Sequence, residues 1–128
     1  MIYLDSSVVL SELFAEDREL PEHFEQELWL SSRLLEYEVW NRIHVRGLSH
    51  SHSAETHALL DRIELIDLDP SVLARALKPF PVSVRTLDAL HLATLEYIRD
   101  LGHDIELASY DGRLVTAARE LGIPIYEL

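Results

Sequence analysis

The chain has 128 residues, 48% of them apolar, no cysteine and a formal charge of −12. That is enough material for one domain, 1–128, around one core; it excludes disulfides and thiolate metal sites, and no run of about 18 uncharged apolar residues offers a membrane span. The acidity is spread along the chain and repels nucleic acid unless cations or a basic partner intervene, and because Met1 leads straight into an apolar run with an acid at position 5, a cytoplasmic protein without a signal peptide is expected.

Ile2-Tyr3-Leu4 reads as a short buried strand. Asp5-Ser6-Ser7 follows with cap-forming residues and opens a helix to about Phe14. The charged stretch 15–27 includes Pro21, which can start a short helix. Residues 28–30 form a second apolar run, and Ser31-Ser32 offers a cap for a helix running to Gly47, with Leu35, Val39 and Ile43 at four-residue spacing. Residues 51–62 read as a helix with Ala54, Ala58 and Leu59 on one face, and 63–68 as a third strand. Asp69-Pro70 starts a helix that Pro79 ends. Thr86 is placed to cap a long helix over 87–101, stopped by Gly102. Residues 105–108 make a fourth strand, Asp111 opens a last helix with Leu114, Ala117, Ala118 and Leu121 on one face, and 123–126 make a fifth strand at an edge, because Pro124 lacks a donor. Strands alternating with helices imply a parallel sheet covered on both faces, with ligands taken beyond the carboxyl ends of the strands.

Four acids fall where chemistry is expected. Asp5 directly follows the first strand, and Asp111 lies three residues past Ala108 at the end of the fourth. Asp88 sits in the first turn of its helix, and Glu38 lies beside the apolar stripe of Leu35, Val39 and Ile43. Each has a plain structural reading: Asp5 and Asp111 as helix caps, Asp88 as a first-turn acid, Glu38 as a solvated residue. Glu36 and Glu38 point about 200° apart on a helix, so only one can face a shared site. Gathered carboxylates without a partner base raise one another's proton affinity. A hard divalent cation such as Mg²⁺ or Mn²⁺ resolves that conflict with oxygen ligands and can activate water and stabilise charge on a phosphoryl oxygen.

At these residues the chain resembles a PIN domain, in particular the VapC-type toxins of bacterial toxin–antitoxin pairs. The segments that carry the resemblance are Ile2-Tyr3-Leu4-Asp5-Ser6-Ser7, Ser32-Arg33-Leu34-Leu35-Glu36-Tyr37-Glu38-Val39, Arg85-Thr86-Leu87-Asp88-Ala89-Leu90-His91-Leu92-Ala93 and Ser109-Tyr110-Asp111-Gly112-Arg113-Leu114, continuing to Ala117-Ala118 and Leu121-Gly122. The resemblance implies an α/β/α fold whose five-stranded parallel sheet has the order 3-2-1-4-5, and Mg²⁺- or Mn²⁺-dependent endoribonuclease activity. It makes Asp5, Glu38, Asp88 and Asp111 the catalytic, metal-binding carboxylates, with Glu38 rather than Glu36 serving the site. Ser6 becomes a supporting hydroxyl near Asp5, as does Ser109, where the family often has threonine. Many relatives carry a basic residue directly after the aspartate matching Asp111; here Gly112 stands there and Arg113 follows, without an assigned role. The resemblance also implies RNA as substrate, a cognate antitoxin and a homodimer, the last favoured too by the apolar surface of Trp29, Trp40 and several helices. The antitoxin is expected to bring a basic segment whose arginines pair with the four acids.

Other readings are weaker. His91, three residues past Asp88, is either packed beside Leu87 and Leu90 or orients a carboxylate or substrate. His44, His50, His52 and His57 do not make a convincing zinc pattern. Lys78-Pro79 follows a helical pattern rather than the strand of a receiver domain, and Ser7 stands where a haloacid-dehalogenase phosphatase needs an aspartate. The alternative function is a PIN-like scaffold that binds RNA or protein without cutting.

Overall fold

A computed structural model describes residues 1–128. Its elements are β1 (Ile2–Leu4), α1 (Ser6–Leu13), a 3-10 turn (Phe24–Gln26), β2 (Trp29–Ser32), α2 (Leu34–Val45), α3 (Ser53–Asp61), β3 (Glu64–Ile66), α4 (Pro70–Ala76), α5 (Thr86–Asp100), β4 (Glu106–Ala108) and α6 (Gly112–Glu120).

All strands are parallel, in the order β3-β2-β1-β4. The alternation of a strand divides the interior in two. Ile2 and Leu4 face one side with Val8, Val9, Leu35, Val39 and Ile43 of α1 and α2. Tyr3 faces the other with Leu92, Leu95, Leu107 and Leu114, which brings α5 and α6 against the sheet. Trp29 is buried, its indole N–H donating to Phe24 O at 3.0 Å, while Trp40 is partly buried between His44 and His57. No helix is long and apolar enough to cross a membrane.

Four local readings of the sequence are corrected. The fifth strand reduces to a single parallel bridge, Leu107 to Ile125, so the sheet has four strands. Pro124 has no N–H, and the Ile123 N–H turns back to Ala118 O at the end of α6, so few groups remain to pair. The second strand runs on through Ser31 and Ser32, both fully buried: Ser31 donates its hydroxyl across the sheet to Leu4 O, while Ser32, still in the strand, accepts the Leu34 N–H at the start of α2 as the expected cap would. In α3 the buried residues are Thr56 and Leu60, not Ala54 and Ala58, because the Thr56 hydroxyl is absorbed by His52 O. The cap position of α5 is Arg85 rather than Thr86, which is already helical, and no side chain caps it. Gly47, Gly102 and Gly122 do follow their helices with φ between 68° and 94°, the left-handed stop expected of them.

The chain runs from β1 outward to β2 and β3, then returns to β4 on the other side of β1. Strand order therefore reverses between β1 and β4, and that switch point is where loops diverge to leave a crevice.

Candidate active site

A cleft of about 950 Å³ opens at this end of the sheet, lined among others by Asp5, Glu38, Asp88 and Asp111. The fold thus brings all four predicted acids, from positions 5 to 111, to one place.

Asp5 is the N-cap of α1 and is buried. Its Oδ2 accepts from Ser7 Oγ at 2.6 Å and from Ser109 Oγ at 2.8 Å. Each hydroxyl donates its only hydrogen to Asp5 and in turn accepts a backbone N–H, Ser7 from Tyr110 and Ser109 from Asp111, both at 2.9 Å. The loop after β4 is therefore laced to the start of α1 through one carboxylate oxygen. Ser109, one of the two hydroxyls that the resemblance offered, is on Asp5. The other hydroxyl on Asp5 belongs to Ser7, while Ser6 lines the cleft one residue earlier. The signal for Ser7 was available: a capping aspartate reaches the residue two positions on.

Glu38 lies on α2, and its Oε1 accepts from His91 Nε2 of α5 at 2.5 Å. His91 is buried, and its Nδ1 lies 2.7 Å from the Tyr3 hydroxyl, which also accepts the Ser32 N–H at 3.2 Å. With Nε2 donating to Glu38, the Tyr3 O–H donates to Nδ1, and every group in the chain is satisfied. Burial keeps the Tyr3 hydroxyl protonated, raising its pKa far above the usual value. Burial alone would depress the pKa of His91, but the hydrogen bond and charge of Glu38, joined by the charges of Asp5 and Asp88, raise it. His91 is thus both packed and orienting, the two readings its sequence position left open. Glu36 faces away, paired with Arg33 at 3.4 Å.

Asp111 caps α6, its Oδ1 accepting the Arg113 N–H at 3.0 Å. Asp88, in the first turn of α5, has its pKa raised by partial burial first, then by the charges of Asp111 and Asp5. The four acids therefore share one electrostatic field. Asp5, Glu38 and Asp111 each give one carboxylate oxygen to the protein, and their second oxygens have no protein partner. Hard oxygen donors with unused oxygens suit a Mg²⁺-like ion. No three His, Asp or Glu side chains, however, approach closely enough to form a ready-made metal cage, and the histidines at 44–57 form no metal group either.

The cleft also takes in residues to which the sequence assigned no role: Tyr37 and Arg85, which stand inside the segments that carry the resemblance, and Asn41 and Arg42 of α2, which do not. Tyr37 could have been found by its place directly before Glu38, whereas nothing in their spacing marked Asn41 and Arg42.

Comparison with known proteins gives matches along almost the whole chain. A family model described as the PIN domain covers residues 2–120. The protein named Ribonuclease VapC46 of Mycobacterium tuberculosis is 35% identical over 97% of this chain and 95% of its own length. Ribonuclease VapC47 of the same organism is 31% identical over 95% of this chain and 93% of its own. Ribonuclease VapC35, also of that organism, is 28% identical over 98% and 95%.

Proposed function

The chain belongs to the PIN-domain family, and from that premise we propose that it is a Mg²⁺- or Mn²⁺-dependent endoribonuclease, the toxin of a toxin–antitoxin pair, acting in the cytoplasm through Asp5, Glu38, Asp88 and Asp111. The observation that carries this reading is the set of unpartnered carboxylate oxygens facing one cleft at the switch point of the sheet. The ribonuclease names of the relatives support the choice of RNA.

In this reading Asp5, Glu38, Asp88 and Asp111 would hold the cation. Bound there, it would supply positive charge against the negative charge that develops on a phosphodiester. The protein's part is to keep the ligands where they are needed. Ser7 and Ser109 fix Asp5, His91 fixes Glu38, and the Arg113 N–H fixes Asp111. Burial and the charges of Asp111 and Asp5 raise the proton affinity of Asp88, so proton and cation would compete for it.

The toxin reading adds a small antitoxin with a basic segment, whose guanidinium groups would take the place of the cation against the same carboxylates. It adds a homodimer as well, which light scattering should find at about twice the 14.7 kDa of one chain. The rival is a binder that does not cut, and the absence of a ready three-ligand group speaks for it.

Induced expression of the wild type and of Asp5→Asn, followed by sequencing of RNA 5′ ends, tests the reading. New 5′ ends that appear only with the wild type, and vanish when the adjacent small gene is coexpressed, support a toxin nuclease. Identical RNA ends in both strains would favour the binder.

A further inference from the structure

The end of α1 is strained. The Glu16 N–H donates to Ser11 O at 3.0 Å and the Ala15 N–H to Glu12 O at 3.2 Å, the nested pair of bonds that stops a helix through a left-handed residue. That residue is Ala15 at φ 48°, the one non-glycine with positive φ, whereas the left-handed stops after α2, α5 and α6 fall on Gly47, Gly102 and Gly122. A Cβ is disfavoured in this conformation, and a glycine avoids the clash. The turn sends the chain back, and three residues on, the Arg18 guanidinium lies over the Tyr110 ring, 4.1 Å from its centroid. The ion pair of Arg18 with Glu16 is long, 3.9 Å, and about half exposed on both sides, so the ring is its firmer partner.

Tyr110 stands between two residues of the acid site. Ser109 donates to Asp5, and Asp111 caps α6. The Tyr110 N–H donates to Ser7 Oγ in the first turn of α1, and its ring packs, partly buried, against the Ile2 and Leu4 side of the core. One residue of the β4–α6 loop is thus gripped twice: its backbone by the start of α1, its ring by the segment that the end of α1 sends back. Three other arginines lie over aromatic rings, Arg46 over Phe14, Arg62 over Trp29 and Arg75 over Phe80. None of those rings stands next to an acid of the site in the chain; Tyr110 does.

We propose that Arg18 and Tyr110 are positioning residues of the acid site: with the turn at Ala15 they form a strap that holds the Ser109-Tyr110-Asp111 backbone, and so sets how Asp5 and Asp111 are presented to a cation. What the acids hold rests on the metal-dependent reading above; the grip of the strap on the loop does not. Neither residue touches the cation in this account. They act through the loop, whose Ser109 hydroxyl and Asp111 carboxylate move together because the Asp111 N–H donates to Ser109 Oγ. An exposed contact between a guanidinium and a ring is modest, so the strap tunes the site rather than creating it.

The test compares the full chain as wild type, Arg18→Ala, Arg18→Lys and Arg62→Ala. The last is a matched control, since it removes the same kind of contact, over Trp29 at 4.0 Å, from a ring with no acid of the site beside it. Amide hydrogen exchange is measured without metal, and Mn²⁺ affinity by the electron paramagnetic resonance of the free ion. Arg18→Ala should speed exchange at the Tyr110 and Asp111 N–H groups, and weaken Mn²⁺ binding, each about two- to fivefold, the range set by one exposed cation–ring contact. Arg18→Lys, which keeps the cation, should recover most of both. Arg62→Ala should lower the unfolding midpoint and leave both at the wild-type value. Wild-type exchange and affinity in Arg18→Ala, the same losses in Arg62→Ala, or faster exchange with unchanged Mn²⁺ affinity overturns the proposal. A wild type that binds no Mn²⁺ would bring down the metal reading instead, and exchange at Asp111 would then decide the strap by itself.

Discussion

His91 Nε2 lies 2.5 Å from Glu38 Oε1, joining two helices whose residues are 53 positions apart. Through its other nitrogen the same ring reaches Tyr3 on the central strand, so one buried histidine ties α2, α5 and β1 together directly behind the acid cluster. Removing it leaves the Glu38 carboxylate without its partner, the Tyr3 O–H without this acceptor and a hole between the layers. His91→Ala is expected to cost at least about 2 kcal/mol of stability, and Tyr3→Phe about 1–3 kcal/mol, because the Ser32 N–H is left unpaired. Urea unfolding midpoints measure both; unchanged midpoints would show that this chain of bonds contributes nothing.

The acid cluster sets a pH dependence on the cation-free protein. Asp88 has a raised pKa, from partial burial and then from Asp111 and Asp5. Its contribution to stability is therefore complete below the unfolded value of about 3.9 and is lost as pH rises through the folded value. His91 is raised as well: burial opposes its charge, but Glu38, Asp5 and Asp88 outweigh burial. Its contribution is complete below about 6.5 and is lost as pH rises through the folded value. Both have the same sign, so in EDTA the protein should become less stable from weak acid to above neutrality. Thermal scans across that range should show Mg²⁺ reducing the loss, and Asp88→Asn should raise the midpoint in EDTA while diminishing the gain from Mg²⁺. A midpoint that climbs with pH in EDTA would contradict the cluster's electrostatics.

Adjacent serines allow a sharper test of geometry. Ser7 holds Asp5 at 2.6 Å and accepts the Tyr110 N–H, whereas Ser6 lines the cleft at the start of α1. Ser7→Ala should lower stability by about 1–2 kcal/mol and reduce RNA cleavage strongly, and Ser6→Ala should be mild in both. The reverse ranking would mean that Ser6, the hydroxyl named by family resemblance, supports the site after all.

Two glutamates on α2 make a second such pair. Glu36 meets Arg33 and has its side chain partly in solvent, while Glu38 meets the buried His91. Glu38→Gln is expected to remove nearly all cleavage with the fold retained, and Glu36→Gln to change stability by less than about 1 kcal/mol and leave cleavage near wild type. Circular dichroism with a cleavage assay separates the two outcomes.

The legible parts of the sequence were those written in local chemistry. Asp5 and Asp111 announced themselves by position after a strand and before a helix, and Leu35, Val39 and Ile43 by their spacing; all five behave as cap or core residues here. The boundaries that slipped involve polar groups satisfied at a distance. Ser31 read as part of a helix cap because its hydroxyl's partner, Leu4 O on β1, is one that no window of sequence displays, whereas Ser32 does accept the Leu34 N–H two residues on. The fifth strand failed for the converse reason: 123–126 is apolar, but one proline and one N–H diverted to α6 leave too few donors for a ladder. Tyr3 looked like an ordinary core residue, and only the packing of α5 against the sheet reveals that its hydroxyl orients His91. The cleft residues Arg42 and Arg85 could not be told from arginines such as Arg33 and Arg62, which meet acids elsewhere, since pairing depends on which acids the fold brings near.

The central claim, that four carboxylates at the β1–β4 switch point make a metal-dependent ribonuclease, is tested most directly by incubating the purified protein with a labelled single-stranded RNA in EDTA and then in Mg²⁺ or Mn²⁺, beside Asp5→Asn and Asp111→Asn. Cleavage that appears only with the divalent ion, and falls by about a hundredfold or more in either variant, is the predicted result. Full cleavage in EDTA, or wild-type rates in both variants, would contradict it.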